Sequence, residues 1–257
     1  MKVTILGCGG ATGTPAVGIG WGKLDSKNPK NSRLRSSILV ENGHTCILVD
    51  TSPDLRQQLL NADVKRLDAV LYTHYHADHL HGIDDLRQIN RSMNAAIDMY
   101  ADADTVDSIK QRFGYVLEPL AADVKTHFKP TLNPHTLKDG DSLTIGDVDI
   151  DVFAQDHGYC KTMGFRFGPI AYSTDVVKMP EDSFKILDGV DTWIIGALID
   201  KPHPTHAHVD KALNWLKRVS PRRGVLTHMG FSFDYEVLKS QLPEYVEPAF
   251  DGMILEA

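Results

Sequence analysis

The sequence predicts an α/β protein, a sandwich with helices lying outside paired, packed mixed sheets. Three observations lead there. Short runs rich in Val and Ile recur along the chain with turn residues at their borders, as strands require. Helical patterns are interspersed among them rather than gathered in one block. Histidines and aspartates collect just beyond the ends of several of those runs. The chain has 257 residues, 42% hydrophobic and 24% charged, enough to bury one large core. It is expected to form a single domain over 1–257.

The first strand is "KVTIL" (2–6). After it comes "GCGGATGTP", which lacks the Lys-Ser/Thr ending of a phosphate loop and any GxGxxG register, and reads as a tight turn. The irregular stretch continues to Arg35. Loops of that length inside a compact domain are usually functional or mobile. Because it carries Lys27, Lys30, Arg33 and Arg35, Arg33 and Arg35 are the candidates for holding an anionic substrate. "SILVE" (37–41) and "CILVD" (46–50) form a hairpin-like pair. "SPDLRQQLL" (52–60) predicts a helix with Ser52 as N-cap and proline at the first helical position.

A strand over 67–73 runs straight into "THYHADHLHG", Thr73 to Gly82, where four histidines and an aspartate fall within eight positions. Continued extended backbone points His74 and His76 to one side, and the turn beyond carries Asp78 and His79 elsewhere. Each set is too small alone for tetrahedral coordination, so a metal site must recruit more ligands. His157 follows a strand at 148–153, Asp175 closes "IAYSTD", and His228 closes the strand "GVLTH" (224–228). A further strand lies at 192–198. "HVDKALNWLKRV" (208–219) places Val209, Leu213 and Leu216 on one helical stripe. Its start makes His208 a helix N-terminal residue and leaves His203 in a loop.

Composition narrows the function. A net charge of −7 argues against gripping a long nucleic acid, though not against a small phosphorylated ligand. Three scattered cysteines, Cys8, Cys46 and Cys160, suggest a reducing compartment rather than a disulfide framework. No stretch has the length of a secretory signal core or a membrane span, so a cytoplasmic location with no membrane partner is expected.

In its "THYHADH", "DHG", "STD" and "LTH" motifs, and in Asp50 of "LVDTSPD", the chain resembles the metallo-β-lactamase-fold hydrolases. The resemblance implies an αβ/βα sandwich with a dinuclear site between the sheets. His74, His76 and His157 would bind one metal; Asp78, His79 and His228 the other. Asp175 and a hydroxide would bridge them, and Asp50 would orient the histidine loop. Ligands without thiolate suit Zn or Mn, with Fe also compatible, and two such ions about 3.5–4 Å apart form a clamp for hydrolysis. An aspartate at 175 fits the glyoxalase, nuclease and phosphodiesterase branches better than the antibiotic-cleaving one. His206, just before the helix at 208–219, matches the general acid of the phosphodiesterase members; His206 and Asp78 are the catalytic candidates.

"GCGGATGTP", "THYHADHLHGIDDLR", the His206 segment, "LTHM" and "AFDGM" bring the resemblance closest to the PhnP-type cyclic phosphodiesterases of phosphonate breakdown. These are commonly homodimers and open a ribose 1,2-cyclic phosphate or a related diester. They also hold a structural zinc through loop cysteines and a later histidine. Here the loop reads "GWGKLDSKNP" and the later position is Phe231, so no structural zinc is expected. A glyoxalase-like thioester hydrolase, an RNA-processing nuclease and a non-catalytic nucleotide-binding protein remain the alternatives.

Overall fold

The computed structural model describes residues 1–257. Strand β1 (Lys2–Gly7) is followed, after the long loop, by β2 (Ser37–Asn42), β3 (Thr45–Val49), helix α1 (Leu55–Asn61) and β4 (Ala69–Leu71). Then come α2 (Ala77–Leu80), α3 (Leu86–Met93), β5 (Ile97–Asp102), α4 (Ala103–Phe113) and β6 (Leu132–Leu137). The second half has β7 (Ser142–Ile145), β8 (Val148–Asp156), β9 (Lys161–Phe167), β10 (Ile170–Ser173), α5 (Glu181–Ile186) and β11 (Thr192–Gly196). It closes with α6 (Val209–Val219), β12 (Arg223–Thr227), α7 (Tyr235–Gln241), β13 (Val246–Pro248) and β14 (Ile254–Glu256). No helix is long and apolar enough to cross a membrane.

Two seven-stranded sheets result, ordered β14-β1-β2-β3-β4-β5-β6 and β13-β12-β11-β10-β9-β8-β7. Each begins with antiparallel neighbours and turns parallel where helices make the crossovers, from β3 onward in the first and from β10 onward in the second. This is the expected α/β sandwich of mixed sheets. Period-two alternation explains how they pack. Ile38, Val40, Ile47, Val49, Ala69 and Leu71 point inward and meet Val152, Phe165, Phe167, Trp193 and Ile195 in one buried core. Their neighbours Leu39, Leu48, Val70 and Tyr72 point outward, under Leu55, Leu59, Leu86 and Ile89 of the helices.

Four expectations change. The regular turns of helix α1 start only at Leu55, although Ser52 Oγ accepts the Asp54 N–H at 3.1 Å as a capping serine does, and donates to Gln58 at 2.9 Å. The strand after 67 covers only Ala69–Leu71, and the one at 148 runs on to Asp156. The basic loop is a structural element. Arg33 is 1% exposed and donates to the Phe233 carbonyl at 2.6 Å, so it is no surface cation for substrate. Arg35 is paired with Asp54 at 3.2 Å, and Lys30 lies over the Tyr235 and Phe250 rings. Asp234 ties the loop down through the Asp25 N–H at 3.3 Å and the Asn31 amide at 2.7 Å.

At the root of that loop, Asp251 accepts the Cys8 N–H at 3.1 Å and the Leu34 N–H at 2.7 Å. Replacing it by alanine strands two backbone donors, each worth about 1–3 kcal/mol when unsatisfied. We expect Asp251→Ala to lose about 2–4 kcal/mol in urea unfolding. A loss under about 0.5 kcal/mol would show that water replaces the carboxylate there.

Candidate metal centre

The centre is assembled from strand ends. Asp50 directly follows β3, His74 lies just past β4, His157 follows β8, Asp175 follows β10, and His228 follows β12. At this edge the sheets are also hydrogen-bonded to each other. Met163 N–H donates to Thr73 O at 2.8 Å, and Met229 N–H donates to Cys8 O at 2.8 Å. Asp50, Asp175 and His228 have φ of 65°, 50° and 51°, a left-handed backbone that non-glycine residues enter only under constraint. That turn is what takes each side chain out of the pleat and into the space between the sheets.

The His74–Gly82 turn is fixed by backbone bonds on both sides. Thr51 N–H donates to His79 O at 2.8 Å and Gly82 N–H to Thr51 O at 2.9 Å. A Cβ at Gly82 would sit 1.9 Å from Ser52 O, so only glycine lets the turn close this tightly. Inside it, Asp50 accepts the Thr73 N–H and hydroxyl, each at 2.8 Å, and meets His79 Nδ1 at 2.7 Å.

With those ties in place the candidate ligand atoms converge. Nitrogens of His74, His76 and His157 lie within 4.8 Å of one another, and so do a carboxylate oxygen of Asp78 and nitrogens of His79 and His228. Asp175 lies between the two groups. Its Oδ2 is 3.0 Å from His79 Nε2 and 3.3 Å from His228 Nε2, and its Oδ1 is 3.7 Å from His157 Nε2. His206 Nε2 approaches the same Oδ1 at 2.7 Å. All seven proposed ligands therefore meet in one place, with His206 at their border.

Electrostatics sort the rings. Burial lowers His74, with the neighbouring His79 adding to the effect; burial is also the main cause lowering His76 and His157. These three are neutral at pH 7, as ligands must be. Burial would lower His79 too, but Asp78, Asp175 and Asp50 around it raise it well above the ordinary histidine value. Burial would raise Asp78 and Asp175. The adjacent imidazoles outweigh it and hold both well below the usual carboxylate range.

Whether a metal fits is a question of unmet valence. His74 Nε2 and His79 Nε2 are buried polar atoms with no hydrogen-bond partner. For His74 and His79 the other nitrogen is already engaged, by Thr73 and Asp50, which leaves Nε2 facing the cluster. Buried donors and acceptors are seldom left open without a reason, and a cation bound by these nitrogens supplies one. A nitrogen–oxygen set with no thiolate suits a borderline or hard divalent ion.

Reading the sequence missed the threonines. Thr73, Thr174, Thr205 and Thr227 each stand immediately before a site residue, a repetition visible in "TH", "STD", "THAH" and "LTH". Thr174 Oγ1 donates to Asp175 at 2.7 Å, and the Thr205 carbonyl meets His157 Nδ1 at 2.6 Å. His81 stands outside the cluster, exposed and 3.3 Å from an Arg112 nitrogen.

Comparison with known proteins agrees with this geometry. The family described as "Beta-lactamase superfamily domain" matches residues 45–229. A solved diphosphatase of the PhnP family is 30% identical, with a TM-score of 0.88, covering 99% of this chain and 96% of that one. The octanoyltransferase of Porphyromonas gingivalis is 30% identical over 258 residues, 98% of this chain and 51% of that protein. The ribonuclease Z of Bradyrhizobium sp. is 32% identical over 143 residues, 54% of this chain and 46% of that protein. The chain thus spans about half the length of the curated relatives it matches.

Two outcomes test the centre. Loading zinc at pH 7 should release about one proton or more, since His79 must give up the one its carboxylates hold there. Calorimetry in buffers of different ionisation enthalpy reads this directly, and no release would contradict the assigned charge state. Asp50→Ala should weaken metal binding about 10–100-fold, because His79 and Thr73 lose their common anchor.

Proposed function

The chain belongs to the β-lactamase superfamily and lies close to its PhnP family, and from that premise we propose a metal-dependent phosphodiesterase for small phosphorylated substrates. The bond cleaved is that of a cyclic or nucleotide-type phosphodiester, with a phosphoribosyl cyclic phosphate as the type substrate. In this reading His74, His76 and His157 hold one divalent ion, and Asp78, His79 and His228 the other. Asp175 serves both, and Asp50 fixes His79. Zn or Mn suits the donors, and Fe is compatible.

Two divalent ions there would supply Lewis acidity toward phosphoryl oxygens and an activated water nucleophile. Two divalent charges less those of Asp78 and Asp175 leave the centre near +2. An otherwise acidic chain then has one strongly cationic spot, and phosphate is drawn to it. Asp78 and Asp175, held ionised, keep the ligand set anionic at neutral pH. His206 faces the same space. When the P–O bond breaks, its Nε2 gives a proton to the leaving alkoxide, which otherwise departs poorly.

The observation that carries this reading is the position of His206. Its Nε2 reaches the Asp175 carboxylate at 2.7 Å and comes within ligand distance of His157 and Asp175, while standing outside the two three-residue groups assigned to the ions. Thioester hydrolysis has less need of such an acid. The octanoyltransferase name gives the acyl reading some support, but that protein is about twice as long as this chain. The diphosphatase relative adds phosphoanhydrides to the substrates worth testing, and the ribonuclease Z relatives add short RNA.

The test is turnover by the zinc- or manganese-reconstituted protein, followed by phosphorus NMR. Ribose 1,2-cyclic phosphate, 2′,3′-cyclic nucleotides, a dinucleoside diphosphate, a short RNA and an acyl thioester form the panel. We expect ring opening of a cyclic diester, reduced about 10²–10⁴-fold by His206→Ala. Thioester cleavage without diester cleavage would overturn the reading.

A further inference from the structure

The loop that brings His206 to the centre contains a second histidine with no part in the ligand set. His203 Nδ1, Thr205 Oγ1 and His206 Nδ1 form a compact triangle. The hydroxyl is 2.8 Å from His206 Nδ1 and 3.3 Å from His203 Nδ1, and the two ring nitrogens are 3.3 Å apart. The backbone of this segment is pinned. Ala207 N–H donates to Val176 O at 2.6 Å, and Ala207 O accepts the Leu198 N–H at 3.1 Å. What remains adjustable is the orientation of the His206 ring and the location of its protons.

Proton positions follow from what each atom can do. The Thr205 backbone N–H can only donate, and it points to His203 Nδ1 at 3.3 Å. His203 Nδ1 is therefore an acceptor, and His203 a neutral ring with its proton on Nε2. Burial, and then the nearby His206, also lower the His203 pKa, in keeping with a neutral ring. If His206 Nδ1 were bare as well, two lone pairs would face each other across 3.3 Å. A proton on His206 Nδ1 removes that repulsion. It is accepted by Thr205 Oγ1, whose own hydrogen turns to His203 Nδ1, or it goes to His203 directly.

We propose that Thr205 and His203 are positioning residues that hold a proton on His206 Nδ1 and so aim its Nε2 into the cleft. The inference rests on the reading of His206 as the acid, and it explains how that acid is kept ready. An imidazole can give up an Nε2 proton and remain neutral only if it keeps the one on Nδ1. The chain from Nδ1 to hydroxyl to His203 provides the acceptor that keeps it. The same threonine carbonyl orients His157 at 2.6 Å, so one residue aligns a candidate ligand and the candidate acid. Gly158 admits that contact. Its φ is +87°, and a Cβ there would lie 3.0 Å from both Pro204 O and Thr205 Cγ2.

Two measurements on zinc-loaded protein test this. Nitrogen-15 NMR of the histidine rings should show His206 protonated at Nδ1 in the wild type, with that proton lost or moved in Thr205→Val. A bare Nδ1 in the wild type overturns the proposal, whatever the substrate. Kinetics then compare a 2′,3′-cyclic nucleotide, which expels an alkoxide, with thymidine 5′-p-nitrophenyl phosphate, which expels a good leaving group. Thr205→Val and His203→Leu should lower kcat on the first about 10-fold more than on the second, a fraction of what an acid supplies. KM should stay close to wild type, and Thr205→Ser should restore the ratio. Equal losses on both substrates would reduce the pair to a structural role. Under the same comparison, His206→Ala showing no leaving-group dependence would sink the acid reading itself, while the NMR result would still decide the hydrogen-bond chain.

Discussion

Asp50 is a fully buried carboxylate, and the candidate centre depends on how it is satisfied. An ionised oxygen pair removed from water is costly unless it is hydrogen-bonded and paired. Here the Thr73 N–H, the Thr73 hydroxyl and His79 Nδ1 meet that requirement together. Each of those contacts also fixes part of the histidine turn. Thr73 determines where the chain leaves β4, and His79 is held with its Nε2 facing Asp175. Satisfying one carboxylate therefore positions the whole histidine segment.

The sheets contribute a frame rather than chemistry. Apolar side chains of both inner faces lock them together along their length. At the site edge, backbone bonds from Met163 to Thr73 and from Met229 to Cys8 join them directly. Candidate ligands carried by different sheets are thereby kept in register. The left-handed conformations of Asp50, Asp175 and His228 concentrate backbone strain at this edge, where the surrounding bonds over-determine the geometry. Carboxylates and imidazoles so close together also fix one another's charge. Asp78 and Asp175 are held ionised, and His79 is the ring driven toward the protonated form.

The loop from Gly7 to Arg35 shows how a long irregular segment is held in place. Without loop cysteines, it is held by Asp234, Asn31, the buried Arg33 and the stacking of Lys30 on two aromatic rings. Lys30, Arg33 and Arg35 serve cohesion. That is why charge counting along the sequence pointed to substrate when Arg33 in fact donates to a backbone carbonyl.

Much of the site was legible from one dimension. Metal chemistry demands particular donor atoms, so H-x-H-x-D-H with His157, Asp175 and His228 beyond later strands could be read without coordinates. Continuous runs of Val and Ile gave away the strands of the core for a similar reason, since a sheet covered on both faces buries nearly every residue. Strand β6 exposes Asn133, Pro134, His135 and Thr136 in a row and left no such pattern, whereas β5 buries Ile97, Met99 and Ala101 in alternation but is short and half polar. Only tertiary structure decided the role of Arg33, the ties of the threonines and the meeting of His203 with His206. A buried ion, a hydroxyl rotor and a pair of ring nitrogens are defined by what surrounds them in space. Sequence names the donors, whereas folding determines which of them face an acceptor, a metal or water.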